Sequence, residues 1–282
     1  MPTKFKLSFC STCMNRKESL KKTLPDNLEI ISKYNDLVEL NLVNFIKDDE
    51  GNEIHDWILS LGEMPNFNYH VCSELDFWHS PIAKNTSHMS ASGFFLVNLD
   101  CDNFISEKWI NKLCALSNDK LNDSVYFGYT GQIKKVYRPW RSSNLKIKYK
   151  FIPDPNGDEH DGSFGLIGCS SKLFVELGGY DECLPVMGGE DKNLLRRLLA
   201  FKPEINLFHI PPARSPIINS KADGLINTKI PDADWKKIER LAHQQTKVAL
   251  RKNQLQANLG RSIGLETKGG YEYVNQSSSS AK

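Results

Sequence analysis

Phe5, Leu7 and Phe9 alternate with Lys4, Lys6 and Ser8, a period of two that predicts a first strand over residues 4–12. Leu20, Leu24, Leu28 and Ile31 then recur at helical spacing, with Pro25 expected to kink or divide that helix. Residues 37–45 read as a second strand, and the acidic loop Lys47-Asp48-Asp49-Glu50-Gly51 leads into a short helix carrying Ile54, Trp57, Ile58 and Leu61. A third strand is expected near Tyr69–Ser73, followed by a helix over Ile82–Ala91 that Gly93 ends. Next comes Phe94-Phe95-Leu96-Val97-Asn98-Leu99, apolar enough on both faces for the centre of a parallel sheet, closing in Asp100-Cys101-Asp102. Strand and helix alternating in this way predict an α/β fold, a Rossmann-like and mostly parallel sheet flanked by helices.

Beyond residue 105 the rhythm changes. Ser106 is placed to cap a helix that buries Trp109, Ile110, Leu113 and Leu116, with Ile105 and Ile110 as a hydrophobic staple. Residues 125–152 read as antiparallel edge material, and 153–162 as a loop rich in turn formers. Gly165–Ser170 is a further strand, and Ser171 opens a helix that Gly178-Gly179 terminates. After Gly188-Gly189-Glu190-Asp191 a helix to Phe201 is expected to turn Leu194, Leu195, Leu198 and Leu199 inward and Arg196 and Arg197 outward. Residues 205–210 form a last strand with His209 near its exit. Asp234 to about Leu259 reads as one basic helix, with Trp235, Ile238, Leu241, Ala242 and Ala249 on a common face. The expected organisation is a catalytic-sized domain over 1–230, in halves of about 1–105 and 106–230, and a C-terminal helix and tail over 231–282.

A net charge of +2 over 282 residues gives no reason to expect a nucleic-acid partner. No apolar stretch is long enough to span a bilayer, and the N-terminus lacks the apolar core of a signal peptide. Seven cysteines without framework spacing fit a reducing compartment, so the expected location is the cytoplasm. Cys10-x-x-Cys13 has no partner pair at zinc-like distance and is expected to be two free thiols at a strand end. No Gly-x-Gly-x-x-Gly follows the first strand, which excludes a dinucleotide fingerprint.

The chemistry concentrates in two places. Asp100 and Asp102 emerge at a strand's carboxyl end, where open α/β sheets bind ligands, and residues i and i+2 of an extended chain point the same way. Their mutual repulsion calls for a positive charge, and a divalent cation bound to phosphate oxygens supplies one. Asp191 falls in the first turn of a helix, where the dipole favours an ionised carboxylate.

Four segments, taken in order, resemble the GT-A fold glycosyltransferases that use nucleotide sugars, in particular the bacterial family-two and galactosyltransferase-like group. They are Thr12-Cys13-Met14-Asn15-Arg16, then Ala83-Lys84-Asn85, then Asn98-Leu99-Asp100-Cys101-Asp102, and lastly Gly178-Gly179-Tyr180-Asp181-Glu182 with Gly188-Gly189-Glu190-Asp191. The resemblance implies an inverting, metal-dependent transfer from a nucleoside diphosphate sugar, such as a UDP-linked hexose or N-acetylhexosamine, to a glycan or glycolipid acceptor in surface polysaccharide synthesis. It implies Mn²⁺ or Mg²⁺ on Asp102, with Asp100 and His209 as further ligands. Thr12, Arg16, Lys84, Asp100 and Asp49 would hold the nucleotide sugar, the choice among the acids after strand two being open. Asp191, aided by Glu190, would be the base, and Tyr180, Asp181 and Gly189 would meet the acceptor. Trp78, Tyr137, Trp140 and Tyr180 are candidates to stack on sugars. The basic C-terminal helix has two readings, contact with the inner face of the membrane or docking on the domain or a second subunit.

The sequence departs from that group where acidic residues 47–51 replace a small Gly/Ser-rich turn, and where Lys84 replaces an Arg. Two alternatives remain. A sugar-nucleotide nucleotidyltransferase would want a Gly-rich basic loop after strand one. A non-catalytic carbohydrate-binding scaffold would have lost an acid from either motif.

Overall fold

The computed structural model describes residues 4–128, 165–210, 217, 225, 227–231 and 234–273, together with the backbone of two strands at 132–137 and 147–152. Its first part alternates as the pattern predicts: β1 (Phe5–Cys13), α1 (Lys17–Ser32), β2 (Val38–Phe45), α2 (Asp49–Ser60), β3 (Phe67–Cys72), α3 (Ser80–Ser90) and β4 (Gly93–Asp100). There follow α4 (Glu107–Cys114), α5 (Asn118–Asn122), β5 (Ser124–Phe127), the strands β6 (Gln132–Tyr137) and β7 (Ile147–Ile152), β8 (Ile167–Ser170), α6 (Ser171–Glu176), α7 (Glu190–Phe201), β9 (Asn206–His209), α8 (Trp235–Arg251) and β10 (Lys268–Gly269).

One eight-stranded sheet runs β10-β3-β2-β1-β4-β8-β5-β9, and β6 pairs with β7 separately. β1 to β4 are mutually parallel; β8 runs against β4 and β5, and β10 against β3. Period two along the strands splits the core between the faces. Phe9, Phe95 and Val97 join Leu20, Leu24 and Trp109 on one side, while Cys10 and Leu96 join Phe174, Leu194, Leu195 and Leu198 on the other. β5 belongs inside this sheet, between β8 and β9, so only β6 and β7 are the separate antiparallel material expected over 125–152.

Several local expectations are corrected. α1 runs unbroken through Pro25, because Leu20, Leu24, Leu28 and Ile31 bury one face against the sheet and outweigh one missing hydrogen bond. Gly93 does not end α3 but opens β4; a Cβ there would fall 2.1 Å from Ser8 Oγ. α8 stops at Arg251, and the chain then turns back so that Ala257 N–H donates to Leu177 O at 2.9 Å. Leu241, expected on its packed face, is exposed. β10 carries the C-terminal segment to the far edge of the sheet.

Arg197 was expected in solvent and is buried. α6 ends in a Schellman turn, with Gly178 in the left-handed region at φ 72 and Gly179 N–H reaching back to Phe174 O at 2.8 Å. The remaining carbonyls of this turn take the Arg197 guanidinium, which donates to Leu177 O at 3.0 Å and Gly179 O at 2.6 Å, and its Nε to Asn193 Oδ1 at 2.7 Å. Burial lowers its pKa to about 10, so it stays charged at neutral pH. Arg197→Leu keeps the apolar stem but strips Gly179 O and Asn193 Oδ1 of this donor, while Leu177 O keeps Ala257 N–H, at about 1–3 kcal/mol for each buried group left unmet. We expect a loss of about 3 kcal/mol in urea unfolding, and an unchanged midpoint would refute this account.

Candidate active site

β1 and β4 lie side by side with Thr12 opposite Asp100, which brings both to the carboxyl edge of the sheet. The loop beyond β4 is clamped from α1: Thr23 Oγ1 donates to Cys101 O at 2.6 Å, and Asn27 donates to Asn103 O while accepting from Ile105 N–H. Ile217 N–H donates to Asp102 O at 2.8 Å, so the chain after β9 returns to this loop. Asn98 Nδ2 donates to Asp100 and Asn103 Nδ2 to Asp102, fixing both carboxylates.

The second half comes from α3 and α7. Pro81 at the start of α3 suits the first turn of a helix. Lys84, one turn on, lies on the buried face with Ala83, Ser87 and His88. Its Nζ is 2.7 Å from Asp191 Oδ1, 3.2 Å from Glu190 Oε1 and 3.7 Å from Asp100 Oδ1. Ser80 Oγ donates to Glu190 Oε1 at 2.8 Å, and Gly188 N–H to Glu190 Oε2 at 2.8 Å. Asn85, the next residue, pairs with the backbone of Tyr180 in both directions and donates to Glu182. α3 is thus tied to the whole Gly178–Glu182 turn.

One buried cation therefore faces three carboxylates, and their proton affinities diverge. Burial foremost, with Glu190 and Asp100 adding repulsion, pushes Asp191 from its ordinary 3.8 up to about 7 despite Lys84. Burial would raise Glu190 too, but Lys84, a backbone N–H and Ser80 outweigh it and hold Glu190 below the usual carboxylate range. Burial disfavours the charged Lys84, yet Asp191, Asp100 and Glu190 together push it well above the ordinary lysine value. The two carboxylates are thus driven apart: Glu190 is held as an anion, whereas burial raises Asp191 although it stands in the first turn of α7, where the dipole alone favours the anion.

A cleft of about 230 Å³ opens over this cluster, lined by Thr12, Met14, Arg16, Trp78, Ser80, Lys84, Asp100, Cys101, Asp102, Met187, Glu190, Asp191 and Asn227. A roomier cavity of about 870 Å³ lies at the opposite end of β4, between α3 and α6, but no set of carboxylates converges on it. Chemistry, not size, identifies the site. Arg16 stands 3.7 Å from Asp102, so each member of the Asp-x-Asp pair has its own cation, Lys84 for Asp100 and Arg16 for Asp102.

The pair also fits a divalent metal. Both are hard oxygen donors at the open edge, with side chains 32% and 23% exposed. No three His, Cys, Asp or Glu among the described residues enclose a metal by themselves. A Mg²⁺-type ion held by one or two carboxylates, with the remaining positions taken by phosphate and water, asks for no more.

Thr12, Arg16, Lys84, Asp100, Asp102, Glu190 and Asp191 are thus brought together as the sequence suggested. Other candidates fall elsewhere. Asp49 is exposed in the first turn of α2, away from the cleft lining. Asp181 accepts from Cys183 N–H and lines a separate cavity of about 660 Å³ beside Arg197. Tyr180 lies fully buried beneath Lys84, whose Nζ is 5.5 Å from its ring centroid, and so supports the cluster from behind. Gly189, expected to meet the acceptor, and Gly188 before it are left-handed at φ 93 and 92 and make room for α8: a Cβ would meet Ala242 at 3.1 Å or the Trp235 ring at 2.8 Å. His209 ends β9 at the same carboxyl edge, three strands from β4; its side chain, and those of Tyr137 and Trp140, lie outside the described residues. Sequence reasoning missed Ser80, Met187 and Asn227. Of these only Ser80-Pro81, a helix-start signal, was visible, since Asn227 arrives through a distant loop to donate to Met14 O and accept from Trp78 N–H.

No family model and no curated protein sequence matches the chain. Among solved structures it is similar to the mannosyltransferase PcManGT from Pyrobaculum calidifontis in complex with GDP-Man and Mn²⁺, with a TM-score of 0.52 and 13% identity over 89% of this chain and 71% of that one. It is also similar to S. aureus TarS 1-349 in complex with UDP-GlcNAc, with a TM-score of 0.50 and 14% identity over 88% of this chain and 74% of that one. At such identity the likeness is one of fold, and the chain has a GT-A-type glycosyltransferase fold.

Proposed function

We propose that the protein is a glycosyltransferase that moves a sugar from a nucleoside diphosphate sugar to an acceptor hydroxyl with inversion at the anomeric carbon. The observation that carries this reading is the meeting, in one cleft, of the Asp100–Asp102 pair and the Glu190–Asp191 pair, joined through Lys84. Thr12 and Arg16 flank the place a diphosphate would take, and Trp78 offers an aromatic face in the same cleft. Asp102 and Asp100 would hold Mn²⁺ or Mg²⁺, which when bound supplies charge neutralisation to the leaving diphosphate. Arg16 adds a second positive charge on that side.

Asp191 receives the proton of the attacking acceptor hydroxyl at its carboxylate. Its affinity near neutrality suits it both to take that proton and to release it afterwards. Glu190 does not exchange protons; its two oxygens fix Ser80 and the Gly188 amide and so hold the start of α7 in place. Lys84, 2.7 Å from Asp191 and 3.7 Å from Asp100, keeps Asp191 oriented.

The test is turnover of a panel of UDP- and GDP-linked sugars with and without Mn²⁺. Asp102→Ala is expected to remove the metal stimulation and to cut turnover by at least a hundredfold, the scale of losing one electrostatic stabiliser of the leaving group. Turnover equal in wild type, Asp102→Ala and chelator-treated protein would defeat the proposal. Because Asp191 must be ionised, the rate is expected to rise with pH through about 7 and then level.

A further inference from the structure

α8 packs one side on α7, with Ala242 and Thr246 buried and Asn193 Nδ2 donating to Thr246 Oγ1 at 3.0 Å. At 100° per residue the opposite side carries Leu241 and Val248 two turns apart, flanked by Lys237, Arg240, Gln244 and Arg251. Leu241 and Val248 are each 47% exposed, and Leu259 just beyond the helix is 73% exposed. These are three of the five large apolar side chains standing exposed among the described residues, and Leu241 and Val248 share the outer side of α8.

Charge concentrates on the same stretch. Lys236, Lys237, Arg240, Lys247, Arg251, Lys252 and Arg261 are all exposed. Between Lys236 and Arg261 the one acid is Glu239, which faces away from the Leu241–Val248 stripe and lies within 4.0 Å of Lys192 and 3.6 Å of His243. The chain as a whole carries only +2, so this face is a local excess and not a general basicity.

We propose that the outer face of α8 docks on an anionic lipid surface. A row of cations alone would fit any polyanion. Aliphatic side chains held in water along the edge of that row fit a bilayer, where they enter the acyl boundary while the cations meet headgroup phosphates. No helix among the described residues is long and apolar enough to cross a membrane, so the contact is peripheral. Trp235 and Ala242 press on Gly188 and Gly189, which lead directly into Glu190 and Asp191. The docked face and the cleft are therefore parts of one packed unit, about one helix diameter apart.

The test is flotation of the whole chain with vesicles of phosphatidylglycerol mixed into phosphatidylcholine, against phosphatidylcholine alone, over a salt series and without any nucleotide sugar. Failure here is thus distinct from failure of the enzymatic reading. Binding is expected only to the anionic vesicles and to weaken with salt. Each Lys or Arg near the surface is worth about fivefold in partitioning. Arg240→Glu with Lys237→Glu is therefore expected to reduce binding at least tenfold, and Leu241→Ser with Val248→Ser to reduce it several-fold at unchanged charge. Both double variants leave the carboxylate cluster untouched and should keep the circular-dichroism melt of the wild type. Three outcomes would overturn the proposal: equal flotation with both vesicle types, insensitivity to the Leu241/Val248 pair with full displacement by soluble polyphosphate, or self-association of the chain through this face in place of vesicle binding.

Discussion

Lys84→Met is expected to destabilise the protein by about 3–5 kcal/mol at pH 8, the cost of leaving buried charge without its partner. The methionine retains the length of the stem, so packing changes little. What changes is that Asp191, Glu190 and Asp100 lose the cation that lies within 2.7, 3.2 and 3.7 Å of them. The defect should shrink on acidification, because protonation removes the repulsion that Lys84 had balanced. Denaturant titrations at pH 8 and pH 5 check this, and an equal loss at both would show that Lys84 matters for packing alone. Lys84 also opposes the upward shift of Asp191, so any residual transfer should need a more alkaline pH than in the wild type.

Asp191→Asn is expected to abolish transfer and yet stabilise the fold in alkaline solution. Removing a general base costs about 10²- to 10⁴-fold in rate. The stability change follows from the raised affinity. A carboxyl whose folded pKa of about 7 lies above its ordinary 3.8 binds more protons folded than unfolded between those values. Stability is therefore fully present below the lower value and lost as pH rises through the upper one, a penalty on the order of 4 kcal/mol above pH 7. Asparagine carries no charge and escapes it. The melting temperature of Asp191→Asn should exceed that of the wild type at pH 8 by several degrees and converge with it near pH 4. Glu190→Gln should behave oppositely. The folded pKa of Glu190 is depressed, so its contribution exists above the usual glutamate range and is lost as pH falls through the lowered value. Scanning calorimetry of the two variants across pH separates them, and a destabilised Asp191→Asn at pH 8 would sink the assignment.

The sheet and the carboxylate pairs could be read from the chain because their signals are local. The apolar run of β4 demands a central position, and acids at a strand's carboxyl end or a helix's first turn announce themselves by placement. What could not be read depended on partners distant in sequence. Lys84 reads in the sequence as a nucleotide-sugar contact, and nothing near it in the chain shows that it is buried among three carboxylates. α3 buries Ser80, Lys84, Asn85, Thr86, Ser87 and His88, so it has no apolar stripe to show which side faces in. Arg197 misled for the same reason: the carbonyls that make its burial tolerable belong to a turn some twenty residues earlier. Gly189 reads in the sequence as an acceptor contact, and nothing local shows that Gly188 and Gly189 also make room for α8, a helix some fifty residues downstream.

The pairing of β10 with β3 bears on how the molecule is made. β1 to β4 can associate once about a hundred residues have left the ribosome, but the outer edge of β3 is then bare, a row of unpaired amides and carbonyls that invites another chain. Lys268 and Gly269 can cover Val71 and His70 only after the chain between β4 and β10 has also been made, and Tyr271 then anchors to Gly62 O at 2.8 Å. Between those two points the edge of β3 is open to intermolecular strand addition, and residues 268–271 cover the part of it at His70 and Val71.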